Sequence, residues 1–303
     1  MATAMVTTLT ESVNNPAILK MGTFRISVNK INDSTASKHE ITLYMLEAAE
    51  LDVVGGHITD NTMLADSGTH VNLATGSNVV YISDDDCNVY ISNKYKVRDL
   101  QIPDRSSPSE AYAFTIDFST LKYAVELKKL QGSKFVGNIN DIVSTGASLT
   151  TAYISYGEYG RIENFAGIES MNDLDVINSS LSGDVEEGLV GTFRSITIGY
   201  NSGLYGDVTR INSRHISATN LTNLESKKTR PSTYYLPSCV GLQLYDDVDN
   251  FLQQIAPCVA DPISQSATYT SVKLYGTRTS ASDAAVATIK SKGYSVFVND
   301  VEL

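Results

Sequence analysis

The chain has 303 residues, of which 42% are hydrophobic and only 19% charged, a globular composition and not a disordered one. Its formal net charge is −11, with acidic residues in excess in both 1–110 and 111–303. No basic stripe is present, which argues against nucleic acid as a partner. Cys87, Cys239 and Cys258 are the only cysteines, at spacings that match no zinc pattern. They are expected to be reduced, mostly buried thiols instead of a disulfide framework or a metal site.

The N-terminus carries no Lys or Arg before Lys20 and no continuous apolar run, so it does not read as a secretory signal peptide. No uncharged apolar stretch approaches the ~20 residues that cross a bilayer, so no membrane insertion is expected. The segments Thr23–Val28, Val79–Ser83 and Val89–Ser92 alternate as strands do. The last two, joined across Asp84–Cys87, read as a hairpin. Its Asp84, Asp85 and Asp86 form either an acidic solvated turn or, less simply, a metal site. Between His39 and Val54 the pattern fits helix or strand, with Leu46–Leu51 leaning helical. Residues 1–110 thus read as a β-rich domain, bounded by the Pro- and Ser-rich stretch Ile102–Ala111.

Beyond that boundary a repeat sets in. Gly137, Gly160, Gly183 and Gly206 stand 23 residues apart, and two residues after each comes Ile139, Ile162, Val185 or Val208. Three further on lie Ile142, Phe165 and Ile211, with the third unit slipping to Leu189. Upstream of each glycine is a short alternating stretch: Val125–Leu127, Ala152–Ile154, Leu174–Val176 and Ile196–Ile198. Each unit therefore reads strand, loop, glycine turn, one helical turn, return. One such unit cannot bury its own apolar edge. Stacking equivalent units at ~4.8 Å makes one continuous core.

After Ile211 the rhythm decays through residues 216–236. Val248, Phe251, Leu252 and Ile255 fall at helical spacing, with Asp246 or Asp247 as the expected cap and Pro257 as the stop. Asp246, Asp247 and Asp249 lack the glycine and distal glutamate of a calcium loop, which favours capping over metal. Val272 and Leu274 then mark a strand. Ser280 and Asp283 suggest a capping box before the apolar face of Ala285, Val286 and Ile289, with Gly293 as a C-terminal stop and Tyr294–Val298 as a closing strand. This last part reads as the atypical end unit that covers an open core.

The pattern L-x-V…S-x-x-x-G-D-V…L, with its 23-residue period, resembles a degenerate leucine-rich repeat of bacterial or phage type. It departs from the usual pattern in its asparagine ladder, for which Asn178 and Asn201 are candidates, with Ser155, Tyr156 or Gln131 nearby in the other units. The expected fold class is thus an α/β repeat: a leucine-rich-repeat-like solenoid over 111–303, with a C-terminal cap, preceded by a β-rich attachment domain over 1–110. A parallel β-helix is the alternative.

The chain contains no H-E-x-x-H, G-x-S-x-G, Walker A or G-x-G-x-x-G motif, and its four histidines form no ligand pair. No cofactor, metal site or catalytic set is expected. The exposed strand positions would form a binding face built from Tyr153, Ser155, Asp173, Asp175, Ser195, Thr197, Lys273 and Tyr275, alongside Thr151 and Ser271. Tyr156, Tyr159, Tyr200 and Tyr205 in the adjoining loops would either extend that face or pack loop against loop. Asp173 and Asp175, two apart on one strand, are spaced like the acids of an inverting glycosidase or are simply solvated.

The array is similar to those of bacteriophage virions, including crAss-like phages, and of Bacteroidetes surface proteins. That resemblance implies a non-enzymatic virion surface component, a head fibre or decoration protein, made in the host cytoplasm. Its partners would be other virion proteins or itself as a homo-oligomer, and a cell-surface glycan or protein. A bacterial surface leucine-rich adhesin and a polysaccharide-degrading β-helix enzyme are the alternatives.

Overall fold

The computed structural model describes residues 23–28, 39–55, 58–61, 69–82, 87–102, 114–122, 124–132, 134–142, 148–155, 159–168, 170–258 and 269–303. The chain is β-rich, with several mostly parallel sheets and few helices. It forms two compact units, residues 1–149 and 150–303. The boundary expected near residue 110 falls within 103–113, outside the described residues.

The first unit contains two largely antiparallel strand sets. One runs in the order Phe135–Val136, Phe114–Asp117, Phe24–Val28, Cys87–Ile91, Ala49–Val54, His70–Leu73. The other runs Lys129–Gly132, Val97–Gln101, His39–Met45, Gly76–Ile82, Ile58–Asn61. The expected hairpin does not form. Gly76–Ile82 pairs with His39–Met45 and Ile58–Asn61, whereas Cys87–Ile91 pairs with Phe24–Val28 and Ala49–Val54. Each strand buries its alternate aliphatics, Val80 and Ile82 in one set and Val89 and Ile91 in the other, so long-range partners prevail over the local one. The intervening Asp84, Asp85 and Asp86 lie outside the described residues. Leu46–Leu51 is not helical. Ala49–Val54 is a strand whose burial alternates, with Leu51 and Val53 inward. Val125–Leu127 is likewise a turn and not a strand; Val125 is exposed, and the strand begins at Lys129.

The second unit is organised around a parallel ladder. Thr151–Ser155, Asp173–Ile177, Ser195–Thr197, His215–Ser217, Ser238–Tyr245, Ser271–Gly276 and Ser295–Val298 lie side by side, all parallel. Their register aligns Ala152, Leu174, Ile196, Ile216, Cys239, Val272 and Val296 into one column. Every member of the column is buried, each large aliphatic contributing about 1.5–3 kcal/mol by leaving water. A smaller parallel sheet, Gly160–Arg161, Leu181–Asp184, Gly203–Asp207 and Leu224–Glu225, runs through the loops between these strands.

The recurring Gly-Asp-Val has a local cause. Gly183 and Gly206 sit at φ 112° and 113°, a region costly for any residue with a Cβ. The next residue, Asp184 or Asp207, turns its carboxylate back to accept the N–H two positions on, from Glu186 at 2.9 Å and from Thr209 at 2.8 Å. Val185 and Val208 are then buried, Val185 at the start of a helical turn and Val208 ahead of a plain turn. Asn138 does the same for Asn140 in the first unit, after Gly137 at φ 84° and before buried Ile139. The second copy departs: Arg161 makes no cap bond, although Ile162 is buried and opens a six-residue 3₁₀ helix. There Glu163 reaches across instead, accepting the Asp184 N–H at 2.9 Å. A Cβ on Gly183 would land on the Glu163 carboxylate. Gly183→Ala is therefore expected to cost about 2 kcal/mol, from the backbone strain and the displaced acceptor, measured by urea unfolding.

Asn201 supplies the one functioning ladder amide among the described candidates. Fully buried, it accepts from the Ser179 N–H at 3.1 Å and donates to the carbonyls of Val176 at 2.5 Å and Ile198 at 2.9 Å. Asn178, by contrast, is exposed at φ 49° at the end of its strand. Asn201→Ala would leave three buried backbone groups unpaired and is expected to cost about 2 kcal/mol, again by urea unfolding.

The closing elements fall where the periodicity puts them: helices Val248–Ile255 and Asp283–Ser291, and strands Ser271–Gly276 and Ser295–Val298. Their caps differ from expectation. Asp247 occupies the N-cap position without capping; its carboxylate accepts the Ser226 N–H from the preceding turn of chain. Asp249 accepts from Thr279 and Ser282, tying the two helical segments together. The Ser280–Asp283 box is replaced by Thr279, whose hydroxyl takes the Ala281 N–H. Gly293 does stop the helix, at φ 91°. All three cysteines are buried and none forms a disulfide, and burial pushes the Cys239 thiol up to about 12.

Candidate functional site

Alternation along the ladder strands places every second side chain outside the core, and register stacks those side chains in rows. One row contains Thr151, Asp173, Ser195 and His215; the next contains Tyr153, Asp175, Thr197 and Ser217. A pocket of about 330 Å³ opens on these rows. Its lining is Tyr153, Asp173, Leu174, Asp175, Arg194, Ser195, Thr197, His215 and Tyr269. Of the expected face, Tyr153, Asp173, Asp175, Ser195 and Thr197 come together here, from three consecutive strands. Ser155, Lys273 and Tyr275 do not line the pocket. Lys273 lies over the Phe297 ring at 5.3 Å, and the Tyr275 hydroxyl donates to Asp300 at 2.8 Å.

Asp173 is not the solvated carboxylate that strand alternation suggests: it is only 5% exposed. Arg194, from the loop just before the next strand, forks onto it with Nε to Oδ1 at 2.8 Å and Nη2 to Oδ2 at 2.7 Å. A two-pronged pair of this kind fixes direction as well as charge. The pairing raises the Arg194 pKa further, while the guanidinium remains largely open to solvent. The Arg194 guanidinium also lies close enough to Tyr153 to act on its phenol. Burial, then the nearby Asp173 and Asp175 charges, raise the Tyr153 pKa, so that phenol stays protonated.

His215 closes the far side. It is buried, its Nδ1 is 2.8 Å from the Ser238 hydroxyl, and the Tyr269 ring meets it edge-on with centroids 4.9 Å apart. Burial lowers its pKa to about 4, so the imidazole is neutral at pH 7. Arg194, His215 and Tyr269 escaped the sequence reading. The signal available was position: Arg194 immediately precedes a strand on the polar face, and His215 opens the next one.

The loop tyrosines Tyr159, Tyr200 and Tyr205 are about half exposed. Tyr156 lies outside the described residues. Among the described residues no three His, Cys, Asp or Glu side chains converge as metal ligands, and no helix is long and apolar enough to cross a membrane. Comparison with protein-family models, curated proteins and solved structures returned no match to this chain.

Proposed function

We propose that the chain is a non-enzymatic structural or interaction protein: a leucine-rich-repeat-like solenoid behind a β-rich attachment region, with the polar strand face as its binding surface. The observation that carries this reading is the pocket itself, to which three successive parallel strands deliver Tyr153, Asp173, Asp175, Ser195 and Thr197. Helical segments at Ile162–Gly167 and Val185–Gly188, on the return path of two of the units, support a leucine-rich type over a parallel β-helix. Asp173 supports binding over hydrolysis. Both its oxygens accept from Arg194, so neither is placed to protonate a leaving group or activate a water.

Within this reading the protein is a surface component of a tailed-phage virion, a head fibre or decoration protein. It is anchored through its N-terminal region to other virion proteins or to further copies of itself, and presents the solenoid to a cell-surface glycan or protein. That step rests on the resemblance of the repeat. Mass spectrometry of purified particles whose genome encodes the chain tests it. Stoichiometric recovery with the particle is expected; its absence there, with no structural genes adjoining its own, overturns the virion assignment. Incubation with capsular polysaccharide is expected to release no reducing ends. Release that disappears in Asp173→Asn would establish the degrading enzyme instead.

A further inference from the structure

We propose that the pocket between Arg194, Asp175 and Tyr269 binds a pyranose residue of a neutral saccharide. This rests on the interaction reading above and specifies its ligand.

Size is the first argument. A cavity of about 330 Å³ lies at the lower end of small-molecule sites, suited to one or two sugar rings and too small for a folded partner's side-chain cluster. Charge is the second. The lining holds two carboxylates, Asp173 and Asp175, against one guanidinium, Arg194, and the His215 imidazole is neutral. The balance is negative, which disfavours phosphate, sulfate or uronate.

The third argument is the kind of polar group each ligand atom would meet. A sugar hydroxyl donates and accepts at once, so it is best held between an acceptor and a donor. Asp175 only accepts and Arg194 only donates, while Ser195 and Thr197 between them do either. Asp173 takes two of the five guanidinium donors, which fixes the orientation of Arg194 before any ligand arrives. A preordered donor loses little freedom on binding. The fourth argument is the wall. Tyr269 and Tyr153 both line the pocket and bring aromatic carbon beside this polar floor. A pyranose has a matching split, with hydroxyls around its rim and C–H groups on its faces.

The test is titration of the full chain, followed by ligand-observed NMR. The probes are methyl glycosides of glucose, galactose, mannose and N-acetylglucosamine, with glucuronate, N-acetylneuraminate and a methylammonium salt as charged counterparts. A neutral glycoside is expected to bind with a Kd of about 1 mM, the strength a dozen heavy atoms supply in one pocket. Asp175→Asn and Arg194→Lys are each expected to weaken it about tenfold or more, since each removes a charge-assisted bond. Lys273→Ala, outside the pocket, should leave it unchanged. If Asp175→Asn unfolds, Thr197→Val carries the same test by removing a floor hydroxyl. Preference for an anionic sugar or the ammonium, full binding by Asp175→Asn, or no binding of any neutral glycoside overturns the inference. A chain that copurifies with particles yet ignores every neutral glycoside sinks this inference alone and leaves the interaction reading standing.

Discussion

Replacing Arg230 with methionine is expected to lower the thermal midpoint of the second unit by about 10 °C, the equivalent of about 4 kcal/mol. Arg230 is only 3% exposed, and its hydrogen bonds go to backbone carbonyls and a thiol. Nη1 donates to the carbonyls of Thr209 at 2.7 Å and Ile211 at 2.9 Å, Nη2 to Tyr235 at 2.8 Å, and Nε to the Cys258 sulfur at 3.3 Å. Its own N–H is taken by Gln254 at 2.8 Å. One side chain thus ties the turn after Val208, the loop at Tyr235 and the end of helix Val248–Ile255. Methionine fills much of the volume but leaves three carbonyls without this donor, those of Thr209 and Ile211 buried, each buried one a loss of order 1–3 kcal/mol partly offset by no longer burying a charge. Lysine should recover little, because a point charge cannot reach carbonyls in three directions. Differential scanning calorimetry of the two variants decides the matter. A midpoint within 2 °C of wild type for Arg230→Met would show that these bonds add nothing net.

The second large effect is acid lability centred on His215. Its folded pKa of about 4 lies below the ordinary 6.5, because burial disfavours the imidazolium. The unfolded chain therefore binds the proton first. Above pH 6.5 the neutral ring costs nothing extra. As pH falls from 6.5 to 4, stability drops by about 1.4 kcal/mol per unit and about 3 kcal/mol in all, then levels off with respect to this group. His215→Gln keeps a partner for the Ser238 hydroxyl but does not titrate. Urea unfolding at intervals from pH 7.5 to 4 should give a shallower profile for the variant, the two curves diverging below pH 6.5. Parallel curves would place the acid sensitivity elsewhere.

Local signals carried the second unit well. The strands at Ala152–Ile154, Leu174–Val176 and Ile196–Ile198 and the helix around Phe251 were legible because each is set by its own alternation or helical spacing. The glycine period was legible too, because Gly183 and Gly206 answer a backbone need that few residues meet. What the sequence hid was pairing over distance. Nothing near Cys87–Ile91 indicates that it joins Phe24–Val28 in place of the strand just before it. Nothing near Asp173 indicates that an arginine 21 residues later will cover it. The pocket was half visible for the same reason: its floor follows from strand alternation, its walls from loops. The capping aspartates mislead in a third way. Asp247 and Asp249 suit a helix start, yet neighbouring turns supply the donors they bond.

The closing strand Ser295–Val298 turns through Asn299 and Asp300, both at positive φ, and two residues, Val301 and Glu302, run back antiparallel along Phe297 and Val298. An extended edge would offer unpaired amides and carbonyls to any passing chain, the ordinary beginning of a fibril. Here that edge is shortened, reversed in direction and given an acidic residue. A chain arriving at this side therefore meets two residues of reversed strand instead of a full parallel edge.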